Sequence, residues 1–470
     1  MVQANHQLLQ SSDQQAIVAL CTPRGSGAIG LIRVSGNNAF AVTAQLASLS
    51  SKISILEADS HTIQHGLVVD PNSGEQIDEV LFLIMRAPRT FTGEDTIEIT
   101  CHNNPFIIQR IIEAAVQTGA RIAQPGEFTK RAFNNGKLDL VQAEALNDLI
   151  HAQTEFGLKQ SMAQLRGTLS QAFVAVEVKL VALLGYTEAS FEFLDEEQRD
   201  IDFPAIINER IDDLLVHIKY LKQHFALQKQ IRQGIRVALV GSVNAGKSTL
   251  FNALVGQERA IVTPIPGTTR DTIECSVYRD GIFWLFVDTA GMRQTDDVVE
   301  QHGIERSLAE AQQADIVVIV VDASRPMSSQ EHAVYQQLVD LAEGKGVLVY
   351  NKIDATLIQP EEPSWDLPYF CISAKEQTGL VALQVAIQEK IQALFAQAKS
   401  PYLLNQRQFT VLSELELELE AIAKSFVDGV HYELLAYRLK DLIEKISALT
   451  GKNVTEQVLD MVFNEFCVGK

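Results

Sequence analysis

Nine residues restrict this chain more than any others. "GSVNAGKST", Gly241–Thr249, fits the pattern G-x-x-x-x-G-K-[ST] and lies between the apolar run "IRVALV" and the helical run "TLFNALVG". A strand, a glycine-rich turn and a helix, in that order, are the context the pattern requires. The glycines let backbone N–H groups close around phosphate oxygens, and the helix N-terminus adds partial positive charge. Asn244, Ala245, Gly246, Lys247, Ser248 and Thr249 are therefore the expected phosphate cradle. Lys247 supplies a point charge to the outer phosphates, and the Ser248 hydroxyl suits Mg²⁺.

Three more pieces follow in the order of a GTP site. "DTAG", Asp288, Thr289, Ala290 and Gly291, closes the apolar run "FWLFVD". Asp288 can hold Mg²⁺ through water, and Gly291 leaves room for a γ-phosphate. "NKID" places Asp354 to accept from both N–H groups of a guanine edge, Asn351 to bond a ring nitrogen, and the Lys352 stem to lie over the purine. "SAK", Ser373, Ala374 and Lys375, offers the Ala374 amide to the guanine carbonyl oxygen. "PGTTRD" fills the first switch position with Gly267, Thr268 and Thr269, and Thr269 can reach Mg²⁺. NKxD alone is also a common turn; the four motifs together specify GTP. One residue breaks the pattern. In the best-known GTPases a Gln after the switch glycine aims the attacking water, but this chain has Met292. Methionine has no N–H donor. Either the nucleotide is not hydrolysed, or another group holds the water.

The 470 residues allow two to four domains. Short β-like runs ("AIVALC", "AIGLIRV", "HGLVV", "VLFLIM", "TIEITC") and a helix over about 105–118 give residues 1–135 an α+β pattern. Asn104 suits the cap of that helix, Pro105 its first position and Gly119 its end. Residues 136–233 read as helix throughout, with an acidic turn at "LDEEQRDIDFP". Residues 234–395 alternate near-continuous apolar strands with helices, the mark of a parallel sheet covered on both faces. Residues 396–470 return to helix. The expected fold is thus an α+β N-terminal domain and an all-α helical domain into which an α/β P-loop domain is inserted.

A net charge of −20 argues against a protein built mainly to grip nucleic-acid phosphates. The five cysteines are scattered, without metal-ligand spacing. They read as reduced thiols of a cytoplasmic protein. The polar start "MVQANHQLLQ" is not a signal peptide. The apolar run "IVVIVV" at 316–321 is too short for a bilayer, so no stable membrane insertion is expected.

The chain resembles the MnmE (TrmE) family of tRNA-modifying GTPases. The likeness is carried by "GLIRVSG", "PGEFTKRAFNNGKLDLVQAEAL" at 125–146, "NAGKST", "AIVTPIPGTTRD", "DTAGMR" and the terminal "FCVGK". The resemblance implies an N-terminal domain like those of folate-binding one-carbon enzymes, which also mediates a homodimer. It implies a heterotetramer with the FAD-dependent partner MnmG. Together they would install an aminomethyl or carboxymethylaminomethyl group on carbon-5 of the wobble uridine of tRNA, with a 5-formyl- or methylene-tetrahydrofolate as one-carbon source. It also answers the Met292 question. In this family a K⁺ ion stands in for an arginine finger; Asn244, Thr263, Ile265 and Thr268 match its ligands, and Glu300 matches the residue that orients the attacking water. Arg33, Glu98, Lys137 and Lys470 match positions facing the folate, and Cys467 is a candidate for a role in the tail. The chain departs from the family at 101–105, where "CHNNP" replaces the usual "GHGGP". A GTP-dependent switch in ribosome assembly or at a membrane, with no one-carbon chemistry, is the alternative. Such relatives carry a basic RNA-binding appendage, and retention of a tetrahydrofolate separates the two.

Overall fold

The computed structural model describes residues 15–23, 25, 27–192, 203–223, 225, 234–256, 275–279, 282–287, 300–356, 365–397, 402–425 and 432–469. They form two compact units. One comprises Met1–Asn147, Leu165–Glu188 and Glu433–Lys470; the other comprises Asp148–Gln164 and Ala189–Tyr432.

The first unit is built on a seven-stranded sheet. Its strands are β1 (Ile17–Leu20), β2 (Ile29–Ser35), β3 (Ala47–Leu49), β4 (Thr62–Val69), β5 (Gln76–Met85), β6 (Thr96–His102) and β7 (Arg121–Ile122), in the spatial order β3-β4-β5-β6-β2-β1-β7. All neighbours are antiparallel except β1 and β7. Side chains alternate between faces with the period of two that extended chain imposes. Val18, Ile32, Val34, Phe82, Ile84, Ile97 and Ile99 enter the core. The register sets Arg33 opposite Glu98 and Ala19 opposite Arg33 on the other face. The five β-like runs are all strands. β3, β7 and the short helix Ala39–Ala44 were not legible in the sequence. The helix Pro105–Gln117 starts as its residues dictate: Asn104 Oδ1 accepts from the Phe106 amide at 2.9 Å, and Gly119, at φ +112°, follows its end.

Helix Thr168–Glu192 presents Leu169, Phe173, Val176, Leu180 and Leu183 at spacings of three and four, and all five are buried. Its stretch Thr168–Ser190 is long and apolar enough to cross a membrane by length and composition, a feature the reading of 316–321 overlooked. In the same unit, Glu177 accepts from Ser447 Oγ at 2.9 Å and Lys452 Nζ at 2.8 Å.

The second unit holds a six-stranded sheet. Its strands are β8 (Ile235–Gly241), β9 (Cys275–Arg279), β10 (Ile282–Val287), β11 (Ile316–Asp322), β12 (Gly346–Asn351) and β13 (Tyr369–Cys371), in the order β13-β12-β11-β8-β10-β9. Five strands are parallel; β9 adds an antiparallel edge absent from the sequence reading. On β11, Ile316, Val318 and Val320 enter one core, and Val317, Ile319 and Val321 enter another on the opposite face. Burial on both faces is why this strand lacks polar alternation.

Helices Phe203–Lys222 and Gln406–Ser425 lie on either side of the sheet in sequence, yet they pair. Lys219 Nζ meets Glu420 at 3.0 Å, and Lys222 Nζ bonds Glu416. The α/β block is therefore an insertion between two helical segments that associate. Between helices Leu140–His151 and Glu155–Leu165, the turn reaches the start of β10: Phe283 N donates to Gln153 O at 3.0 Å, and Thr154 bridges Ile282. The acidic stretch at 193–202 lies outside the described residues.

Candidate functional site

The described nucleotide residues gather at the C-terminal ends of β8, β12 and β13, where open α/β sheets bind ligands. β8 ends in Gly241, whose φ is +148°; a Cβ there would lie 2.2 Å from Val320 O of the neighbouring strand. The loop crosses Ser242 and Val243 to Asn244, which is exposed and left-handed at φ +62°. Asparagine tolerates that conformation better than most residues. Ala245 is fully buried. Gly246, at φ +93°, is forced by its surroundings, since a Cβ would lie 2.1 Å from Asn351 Nδ2. Helix Lys247–Gly256 begins at the next residue. Lys247 Nζ donates to Gly241 O at 2.9 Å and Ser242 O at 2.8 Å, so the ammonium is held inside the curl of the loop.

Asn351 joins the phosphate side to the base side. Only 2% exposed, it donates from Nδ2 to Ala245 O at 2.9 Å and accepts at Oδ1 from the Ala374 amide at 3.0 Å. The Ala374 amide, assigned above to the guanine carbonyl, is thus engaged with Asn351. Asp354 is exposed, and its carboxylate accepts from Ser373 Oγ at 2.5 Å, which fixes its aim. Ser373 Oγ in turn accepts from the Glu376 amide at 3.0 Å. Lys375 is exposed beside them.

Two further residues hold this site, and sequence reasoning missed both. Lys352, left-handed at φ +68°, places its ammonium 2.7 Å from Asp322 Oδ2. Burial pushes the Asp322 carboxyl up, but Lys352 and Ser324 outweigh it and hold the group below the usual carboxylate range. The acid that ends "IVVIVVD" at a strand terminus was the available signal. Tyr335 accepts from Ser242 N at 2.9 Å and donates to Val320 O at 2.8 Å, tying the phosphate loop to β11. Burial raises its phenol above the ordinary value. No local pattern marks it, because its partner lies 93 residues away.

Thr263, Ile265, Gly267, Thr268, Thr269, Asp288, Thr289, Ala290, Gly291 and Met292 lie outside the described residues. Glu300 opens the helix Glu300–Gln313, and its side chain also lies outside them. Among the described residues no group of three His, Cys, Asp or Glu side chains could hold a metal. The donors present, the Ser248 hydroxyl and the Asn244 amide oxygen, are hard oxygens. They fit Mg²⁺ and K⁺ sites completed by nucleotide phosphates rather than an all-protein cage.

The N-terminal unit brings Arg33 and Glu98 together. Arg33 Nε donates to Glu98 Oε1 at 2.8 Å, and the guanidinium lies 5.5 Å from the ring centres of both Phe91 and Phe128. Lys137 Nζ donates to Pro88 O at 2.8 Å, on the loop that carries Phe91. The Phe91 ring is exposed beside the pair of Arg33 and Glu98, whereas Phe128 is buried beneath it. Phe91 and Phe128 were not singled out in the sequence. His102, in the departing "CHNNP" stretch, bonds Asp78 Oδ1 through Nδ1 at 2.8 Å. Cys467 is exposed, and Lys470 lies outside the described residues.

Comparison with known proteins agrees over nearly the whole length. Residues 16–137 match the model of the GTP-binding protein TrmE N-terminus, and residues 140–467 match that of the MnmE helical domain. A protein of Lachnoclostridium phytofermentans named tRNA modification GTPase MnmE is 38% identical over 462 residues, covering 97% of this chain and 99% of its own. Those of Fervidobacterium nodosum and Aquifex aeolicus, named alike, are each 36% identical over 97% of this chain and cover 98% and 100% of their own. The P-loop, the NKID and SAK loops, the inserted sheet and these matches agree: the chain belongs to the MnmE family, a family of tRNA modification GTPases.

Proposed function

We propose that this chain hydrolyses GTP in a K⁺-stimulated reaction. With a flavin-dependent MnmG-type partner it would install an aminomethyl-type group on carbon-5 of the wobble uridine of tRNA. The observation that carries the GTP part is the clasp by Asn351, which ties the phosphate loop to the loop bearing Ala374 beside an Asp354 already aimed by Ser373. Asp354 recognises the N–H groups of guanine, and the Lys352 stem supports the purine face. Lys247 and the amides of 244–249 take the phosphates, and Glu300 orients the water. When bound, Mg²⁺ and K⁺ offset the charge that develops on the phosphates, a role in which an arginine finger gives about 10³–10⁵ in rate. Arg33, Glu98, Lys137 and the tail form the tetrahydrofolate site, and the protein acts in the cytoplasm as a homodimer. The test is nucleoside analysis of tRNA from cells lacking this chain. The expected result is loss of the aminomethyl-type group from wobble uridines and its return on complementation. Unchanged wobble uridines would overturn the reading.

A further inference from the structure

We propose that the Cys21 thiol is a latch that seats the C-terminal tail on the end of β1, making Cys21 a positioning residue. β1 ends at Leu20, and the Cys21 amide still donates to Leu31 O at 2.7 Å, so the residue is fixed to the sheet before the chain turns away. Its thiol donates to Gly469 O at 3.1 Å. Gly469 is left-handed at φ +96°; a Cβ there would lie 2.3 Å from Leu20 O and 3.0 Å from Cys21 Cα. The tail backbone therefore rests directly on the last residues of the strand, and only glycine allows it.

A second clasp lies two residues earlier. Gly126 N donates to Cys467 O at 3.4 Å. Gly126 is itself left-handed at φ +65°, and a Cβ would lie 2.4 Å from Phe463 O. Phe463 and Phe466 are buried, with ring centres 5.4 Å apart. A chain end normally frays; this one is held by a buried aromatic pair, a backbone bond and a thiol. The register puts Ala19, two residues before Cys21, opposite Arg33. The latch therefore fixes the tail beside the proposed folate residues. Its consequence for folate rests on that reading, whereas the latch itself rests on the contacts.

The experiment uses the full chain, a version lacking residues 469–470, Gly469→Ala, Cys21→Ala and Cys21→Ser. Tail seating is read from carboxypeptidase release of the last residues and, where Cys21 is present, from its peptide-resolved alkylation. Binding of 5-formyl-tetrahydrofolate and GTP turnover are measured on the same samples. Removal of 469–470, or Gly469→Ala, should speed Cys21 alkylation at least fivefold. Cys21→Ala should speed tail release about fivefold, the factor for one neutral hydrogen bond, and Cys21→Ser, which keeps a donor, should restore the wild-type rate. GTP turnover should stay unchanged, which shows that the variants fold. Equal alkylation with and without the tail, or equal tail release in the Ser and Ala variants, overturns the latch. Loss of seating with unchanged folate affinity supports the latch and overturns the folate assignment instead.

Discussion

Asn351→Ala should damage this protein in proportion to what Asn351 joins. The side chain is buried and satisfies two backbone groups, Ala245 O at 2.9 Å and Ala374 N at 3.0 Å. Its removal leaves both without that partner. A buried polar group left unsatisfied costs about 1–3 kcal/mol, so the pair is worth about 2–6 kcal/mol before relaxation. If the loops stay closed, the penalty appears as lost stability. If they drift apart, GTP must close them again, and the penalty appears as lost affinity. A share of about 2–3 kcal/mol in binding corresponds to about 30- to 150-fold in Kd. The assay is calorimetric binding of GTP and 7-deaza-GTP to wild type and Asn351→Ala, with denaturant unfolding of both proteins. The analogue lacks the ring acceptor and should cost wild type only about fivefold, one hydrogen bond. Most of the Asn351→Ala loss should therefore persist with the analogue. If the variant and wild type bind 7-deaza-GTP equally well and unfold alike, Asn351 acts through the purine alone and the clasp has no energetic role.

Gly246→Ala should reproduce the Asn351→Ala defect, because its Cβ would lie 2.1 Å from Asn351 Nδ2; wild-type GTP affinity in that variant would contradict the geometry. GTP turnover should rise when K⁺ replaces Na⁺, and Asn244→Ala should lose the stimulation while still binding GTP, as steady-state rates in matched salts will show. Glu300→Ala should bind GTP normally and hydrolyse it at least about tenfold more slowly, and Met292→Gln should not rescue it. Arg325, then the Ser328 amide, hold the Glu331 carboxyl down at about 2. That value is depressed in the folded state, so Glu331 stabilises fully above its ordinary value of about 4.3 and loses its contribution as pH falls towards the folded value. The difference in melting temperature between wild type and Glu331→Gln should be constant near neutrality and shrink below about pH 4; a difference that ignores pH would remove the ion pair from the account.

The two sites were legible to different depths, for a physical reason. The P-loop, NKID and SAK are local: a few consecutive residues adopt a loop whose shape follows from their own backbone, so Gly241, Gly246 and Asp354 stand where the sequence put them. β8, β11 and β12 were legible as apolar runs because both faces are buried, and β10 and the edge strand β13 were legible from their aromatic and aliphatic residues. β9 was not, since Cys275–Arg279 is a five-residue antiparallel edge strand between segments with no strong period. Tyr335 on Ser242, Asp322 under Lys352 and the rings of Phe91 and Phe128 around Arg33 were hidden because each joins segments tens of residues apart. A one-dimensional motif records which residues touch a ligand well, and which residues hold those residues poorly.

The nucleotide clasp and the tail clasp share a construction around a left-handed glycine. In each, a neighbour approaches a glycine too closely for a Cβ: the Asn351 side-chain amide against Gly246, and the Leu20 carbonyl against Gly469. In each, a small polar side chain then bonds across the closed gap, Asn351 to Ala245 O and Cys21 to Gly469 O. Glycine permits the approach but contributes no attraction, and its freedom favours the open chain by about 0.5–1 kcal/mol relative to alanine. The polar bond supplies an offset of similar size, about 0.5–1.5 kcal/mol. A pairing so nearly balanced closes only when the rest of the site agrees with it. At the nucleotide site the buried Ala245 and Ala374 backbone adds the cost of opening, which makes that clasp rigid. At the tail the buried Phe463 and Phe466 and the bond from Gly126 N to Cys467 O add to the thiol bond, but the thiol sits nearest the chain end, so a single substitution at Cys21 should measurably open the last residues.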